Sequence, residues 1–187
     1  MAATKHPFNL SIRDLVNRPG EMREHRLQVA APEQLGEGLV AVREGSELDV
    51  DVRIESVHEG VLVTADVFAT AEGECGRCLI DIALPVEVEF QELFAYHSGE
   101  PFEFEVQDDH VDLEPLIRDA VVLALPFQPV CRPDCPGLDP ETGLRLADHP
   151  ELVTPEHSDP RWAALTEFQA SEDEGADEAS DTDLQKD

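Results

Sequence analysis

Gly73-Glu74-Cys75-Gly76-Arg77-Cys78-Leu79-Ile80 lies between two segments in which apolar and polar residues alternate, the mark of a turn joining two strands. Before it, Val61, Val63, Ala65 and Val67 share one face while Leu62, Thr64, Asp66 and Phe68 share the other. Both faces are partly apolar, which places the strand over 61–70 centrally in a sheet. After it, Ile80, Ile82, Leu84, Val86, Val88 and Phe90 alternate with Asp81, Ala83, Pro85, Glu87, Glu89 and Gln91. Pro85 has no N–H to give to a ladder, so this strand belongs at an edge or carries a bulge. Upstream, Leu48, Val50, Val52 and Ile54 alternate with Asp49, Asp51, Arg53 and Glu55, and His58-Glu59-Gly60 supplies the turn. Three long strands joined by short turns make an antiparallel meander.

Shorter strands are expected over 7–16, ended by Asn17-Arg18-Pro19-Gly20, at 27–29, and at Phe102, Phe104 and Val106. The period then changes from two to 3.6. Asp112 is the expected N-cap of a helix over 112–125, with Glu114 at the positive end of the dipole and Pro115 in the first turn. Leu113, Leu116, Ile117, Ala120, Val121 and Ala124 follow the helical repeat. Val122, Leu123 and Leu125 make its second half apolar all round, so the expectation is one long helix buried against the sheet. A second short helix is expected over 159–168, where Asp159 and Pro160 start it and Trp162, Leu165 and Phe168 share a face. The fold class read from this pattern is α+β: a meander packed against one long buried helix, in a single domain over 1–168. Residues 169–187, dense in acids and poor in apolar side chains, are expected to be disordered.

The chain of 187 residues has a net charge of −29. Its first ten residues lack the apolar run of a signal peptide, and the longest apolar run, 120–126, is far short of the roughly 20 residues that cross a bilayer. A cytoplasmic protein with no membrane role is therefore expected. In that compartment thiols stay reduced, so four cysteines in two close pairs favour metal or thiol chemistry over disulfides. So negative a chain is repelled by phosphate as a whole. The exception is the arm over 1–26, where Lys5, Arg13, Arg18, Arg23 and Arg26 outnumber three acids. It reads either as a phosphate or partner contact, joined by Arg77, or as a partly solvated first strand. Residues 171–187 carry eight acids against one lysine.

Cys75 and Cys78 on a tight bend present two sulfurs on one side, half of a tetrahedral site, and Cys131-Arg-Pro-Asp-Cys135 offers the other half. A structural zinc held by Cys75, Cys78, Cys131 and Cys135 is the expected cofactor. Thioredoxin-like redox work needs its Cys-x-x-Cys at a helix N-terminus, whereas this one joins strands. The sequence contains no Gly-rich phosphate loop, no Gly-x-Ser-x-Gly and no His-Glu-x-x-His. Neither an enzyme nor a small-molecule substrate is expected.

Cys75-Gly-Arg-Cys78, the segment Asp112-Leu-Glu-Pro-Leu-Ile-Arg-Asp-Ala-Val-Val-Leu-Ala-Leu-Pro126 and Cys131-Arg-Pro-Asp-Cys135-Pro-Gly-Leu138 together resemble the YceD family. The resemblance extends over about residues 8–168. It implies a bacterial, non-enzymatic ribosome-biogenesis factor required for accumulation or processing of 23S ribosomal RNA. Its partner would be that RNA or a basic ribosomal protein. The competing reading is a small zinc-stabilised protein–protein interaction module with no ribosomal role. The resemblance implies that relatives often carry two further cysteines at the positions where this chain has Asp139 and Thr142. Two ligand sets follow from that: Cys75, Cys78, Cys131 and Cys135, complete here, or a set drawn from 131, 135, 139 and 142, broken here.

Overall fold

Alternating strands dominate the chain. The computed structural model describes residues 7–96 and 104–152. Its strands are β1 (Asn9–Ser11), β2 (Met22–Ala30), β3 (Val40–Ala41), β4 (Glu47–Ser56), β5 (Gly60–Glu74), β6 (Asp81–Ala95) and β7 (His110–Asp112), followed by the helix α1 (Glu114–Ala124). The chain divides into two compact units, Met1–Gly137 and Leu138–Asp187. All of these elements, and all four cysteines, belong to the first. In the second, a short 3-10 turn spans Pro150–Leu152.

β5 is the spine of the sheet. One edge pairs with β6 over the full length of both strands, from Gly60 opposite Ala95 to Glu74 opposite Asp81. The other edge pairs first with β4 and then, at Glu72 and Gly73, with β3. β2 lies antiparallel on the outer side of β4. Gly73 is where β3 and β6 both flank the spine, and a Cβ there would collide with the Leu39 carbonyl oxygen. Apart from a bridge between Ala95 and Glu105, the far edge of β6 carries no strand among the described residues. The ring of Pro85 is tolerated there because no partner needs its N–H.

The sheet is wet on one side. Leu48, Val50, Val52 and Ile54 of β4 and Val61, Val63, Ala65 and Val67 of β5 are buried, while Asp49, Asp51, Arg53 and Asp66 point the other way. Over the apolar face lie Phe8, Leu10, Ile12 and Leu15, together with Val111, Leu113, Ile117 and Val121. β1 and β7 pair separately, Leu10 opposite Val111, and deliver these side chains to the core. No helix among the described residues is long and apolar enough to cross a membrane.

The α+β expectation of a meander packed on one long buried helix is not met: among the described residues the regular structure is mostly antiparallel sheet, with one short α-helix. α1 has 11 residues, and only Ile117 and Val121 within it are buried. Leu125 is already extended (φ −64°, ψ 132°), because a residue before proline is pushed out of the helical region. The second half is not enclosed either. Val122 is 40 % exposed and Leu123 85 %, and beyond the helix Phe127 is 94 % exposed. A stretch apolar all round thus has only one face covered, and apolar composition by itself could not show that. At the other end Leu113, not Asp112, occupies the N-cap, and Asp112 closes β7. The Asp112 carboxylate still accepts the Glu114 N–H at 3.0 Å, so it satisfies a first-turn donor.

Two other expectations change. The strand at Phe104 and Val106 is reduced to hydrogen bonds with Ala95, which gives its N–H to Phe104 and accepts that of Val106, each at 3.0 Å. Phe102, Lys5, the helix expected over 159–168 and the tail over 169–187 lie outside the described residues. Where the sequence showed a strand only at 27–29, β2 runs nine residues.

The two faces of α1 should respond differently to truncation. Ile117→Ala leaves a cavity in the core and should cost about 2–5 kcal/mol, whereas Leu123→Ala should change stability by no more than about 0.5 kcal/mol. Urea denaturation of the two variants checks this.

Candidate metal centre

The β5–β6 turn is a short, fully hydrogen-bonded bend. Cys75 donates its N–H to the Ile80 carbonyl at 2.8 Å, and Leu79 donates back to the Cys75 carbonyl at 3.0 Å. Leu79 takes φ +57° to close it. The Arg77 N–H points at the Cys75 sulfur, 3.5 Å away. Gly76 donates to the Pro129 carbonyl at 2.7 Å, which brings in the loop leaving α1. That loop cannot continue the helix past Pro126. It then delivers the Cys131 N–H to the same Cys75 sulfur at 3.3 Å.

The result is a cluster of four thiols. The Cys75 and Cys135 sulfurs are 4.0 Å apart, those of Cys78 and Cys131 3.7 Å apart, and all four lie within 4.8 Å of one another. A tetrahedron with metal–sulfur bonds of about 2.3 Å has edges of about 3.8 Å, so this spacing suits a thiolate-bound ion. It is far too wide for disulfide bonds of about 2.05 Å, and all four cysteines are free. Cys75, Cys78 and Cys135 are buried and Cys131 half-buried.

The thiols are electrostatically unequal. Burial pushes the Cys75 thiol up, but the N–H groups of Arg77, Cys131 and Cys78 outweigh it and hold the group at about 6. The Ile80 N–H favours a Cys78 thiolate, yet burial and the sulfurs of Cys75 and Cys135 leave that thiol raised. Burial, with Cys135, Cys78 and Cys75 crowded around it, pushes Cys131 up to about 12. A pocket that readily accepts one thiolate and resists others is what four converging sulfurs produce until a cation compensates them. The donor set, its spacing and its burial fit a structural metal.

Arg77 ties the two halves together. Its guanidinium donates to the carbonyls of Pro133 and Cys135, each at 3.1 Å, while the side chain stays on the surface. The other arginines of the proposed contact surface are spread out. Arg13 lies in the turn after β1, 3.7 Å from Asp109, and Arg18 in the loop before β2. Arg23 pairs with Asp14. Arg26 holds Asp51 on the wet face of the sheet, at 2.5 and 2.9 Å. Arg23 and Arg26 sit three positions apart on β2 and so project to opposite sides of the sheet.

The second unit contains a loop that sequence reading missed. Asp139 donates its N–H to the Leu144 carbonyl, Gly143 donates back to the Asp139 carbonyl, each at 2.8 Å, and Gly143 takes φ +71°. This is the hydrogen-bond pattern of the 75–80 turn, residue for residue. Here, however, the Asp139 carboxylate accepts the Thr142 N–H at 2.7 Å and its hydroxyl at 2.6 Å, which keeps the Asp139 carboxyl below its usual range. The shared spacing, Cys-x-x-Cys-Leu-Ile against Asp-x-x-Thr-Gly-Leu, was the available signal. A carboxylate–hydroxyl pair closes this loop.

Removing the Arg77 side chain deletes two hydrogen bonds of about 0.5–1.5 kcal/mol each. At this exposed position Arg77→Ala should lower stability by about 1 kcal/mol, read from the urea midpoint, with the 131–135 loop exchanging its amide hydrogens faster.

The family model described as "Large ribosomal RNA subunit accumulation protein YceD" matches residues 63–169, a span that holds both cysteine pairs. The uncharacterized protein Rv2926c of Mycobacterium tuberculosis is 47 % identical over 169 residues, covering 87 % of this chain and 81 % of that protein. ML1660 of Mycobacterium leprae is 39 % identical over 88 % of this chain and 78 % of its own length. YlbN of Bacillus subtilis is 30 % identical over 54 % and 61 %. No solved structure gives a significant match. With the family match spanning more than half the chain and enclosing the whole sulfur cluster, this protein belongs to the YceD family of large ribosomal RNA subunit accumulation proteins.

Proposed function

We propose that this chain is a non-enzymatic, cytoplasmic ribosome-biogenesis factor that supports accumulation of 23S ribosomal RNA by holding a basic large-subunit ribosomal protein before it joins the RNA. Family membership carries the ribosomal part of the reading. The net charge of −29 favours a protein partner over naked RNA, because complementary charge steers a cationic protein to this surface and repels phosphate. The arginines support the same choice, since Arg13, Arg23 and Arg26 are already engaged by acids of this chain.

In this reading the cysteine cluster is a structural zinc clip. Cys75, Cys78, Cys131 and Cys135 would hold the ion, and its double charge would offset their thiolates. It supplies no catalysis; it joins the β5–β6 turn to the loop after α1. Zinc uptake should release protons at neutral pH, Cys78 and Cys131 among the sources, because both thiols are raised above their ordinary value. Binding should accordingly weaken as pH falls. The purified protein should contain one zinc per chain by native mass spectrometry. Cys75→Ser with Cys78→Ser should abolish that zinc and lower the melting temperature. Full stability in metal-free protein would remove the clip.

The ribosomal role is tested by depletion in the native organism. Large subunits and 23S RNA should fall relative to small subunits, and the purified chain should bind basic large-subunit ribosomal proteins. Unchanged subunit profiles would instead favour a zinc-stabilised interaction module.

A further inference from the structure

Beside the sulfur cluster the chain leaves apolar side chains in water. A groove of about 430 Å³ runs between the end of α1 and the segment before β3, lined by Gly36, Glu37, Leu39, Val122, Leu125 and Phe127 among others. Its floor is tight, since a Cβ at Gly36 would strike the Leu125 side chain. Its walls are open: Leu39 and Val122 are exposed, and Phe127 stands almost wholly in solvent. Leu39 also reaches the Cys75–Cys78 bend, where a Cβ on Gly76 would come within 3.2 Å of it. The helix end that sequence patterning would bury is therefore held open next to the feature that fixes its loop. Large exposed apolar groups gathered in one concavity mark an interaction surface.

Charge decides among the occupants. A second copy of a chain carrying −29 is opposed by like-charge repulsion. Glu37 is the one charged side chain among the described lining residues, and no Lys or Arg joins it. RNA would find no cation there. What fits is a cationic protein segment that inserts apolar side chains into the groove and leaves its Lys and Arg facing Glu37 and the net negative charge of the chain. We propose that this groove is the docking site for a basic protein segment with leucine or aromatic anchors. The proposal rests on the reading of the chain as a holder of a basic ribosomal protein, and it locates the contact.

Two synthetic peptides of equal positive charge, one with Leu and Phe anchors and one with serine in their place, are titrated into the full chain by fluorescence anisotropy. The anchored peptide should bind about ten-fold tighter or more, the size expected for burying one large apolar side chain. Phe127→Ser and Val122→Ser should each remove most of that advantage, while Phe68→Ser, on the wet face of the sheet, should leave it intact. Circular dichroism confirms that the variants remain folded. Equal binding of the two peptides, or indifference to Phe127→Ser, overturns the proposal. So does a dimer by light scattering that Phe127→Ser splits, or loss in that variant of binding to a 23S RNA fragment. If purified basic ribosomal proteins still bind Phe127→Ser with full affinity, the groove fails and the holder reading stands. If none binds the unaltered chain, the holder reading fails.

Discussion

One sulfur atom receives N–H groups from two places: Arg77 in its own bend and Cys131 across from it. The tip of the β5–β6 hairpin and the course of the chain after α1 depend on that junction. β5 and β6 form a hairpin of fifteen residues a side, which reaches on the order of 50 Å. The apolar layer from β1, β7 and α1 is small, and near the tip it gives way to Ala71 and the half-buried Ile82 and Leu84. What holds the tip is β3 on one edge and the post-helix loop, bonded through Gly76 to Pro129 and through Arg77 to Pro133 and Cys135. The same bonds fix where the chain goes after Pro126, and so how the end of α1 is presented.

The long strands were readable because each buries one face, and alternation is the direct record of that. β3 and β7 have two and three residues, too few for any period to show; their existence is decided by partners far away in the chain. β2 hid for another reason. Arg23, Glu24 and Arg26 make its first half look like a charged loop, but Arg26 lies opposite Asp51 and Glu24 opposite Arg53, so the stabilising pairs are cross-strand and invisible locally. Cysteine spacing marked both halves of the sulfur cluster, yet it left open which other residues would join 131 and 135. Those residues meet Cys75 and Cys78, and Asp139 and Thr142 satisfy each other.

The helix was misjudged in an instructive way. Composition reports how much apolar surface a segment has, not how much of it the rest of the molecule covers. Over 113–127 the supply exceeds the cover: Leu113, Ile117 and Val121 use the available core, and Leu123 and Phe127 are left over. Left-over apolar surface of this kind marks either an interaction site or an aggregation liability.

The acidic character and the apolar groove then answer one another. A chain that contacts RNA directly needs free Lys and Arg aimed at phosphate, and here Arg43, Arg53 and Arg118 are engaged by Glu72, Glu55 and Glu33 just as Arg13, Arg23 and Arg26 are engaged by aspartates. Bases held in this way shape the acidic surface rather than oppose it. A ribosomal protein on its way to RNA has the reverse problem, since its cations lack their phosphate and its apolar side chains lack their final packing. On the holder reading proposed above, the chain's net negative charge meets the first need and the open apolar groove the second.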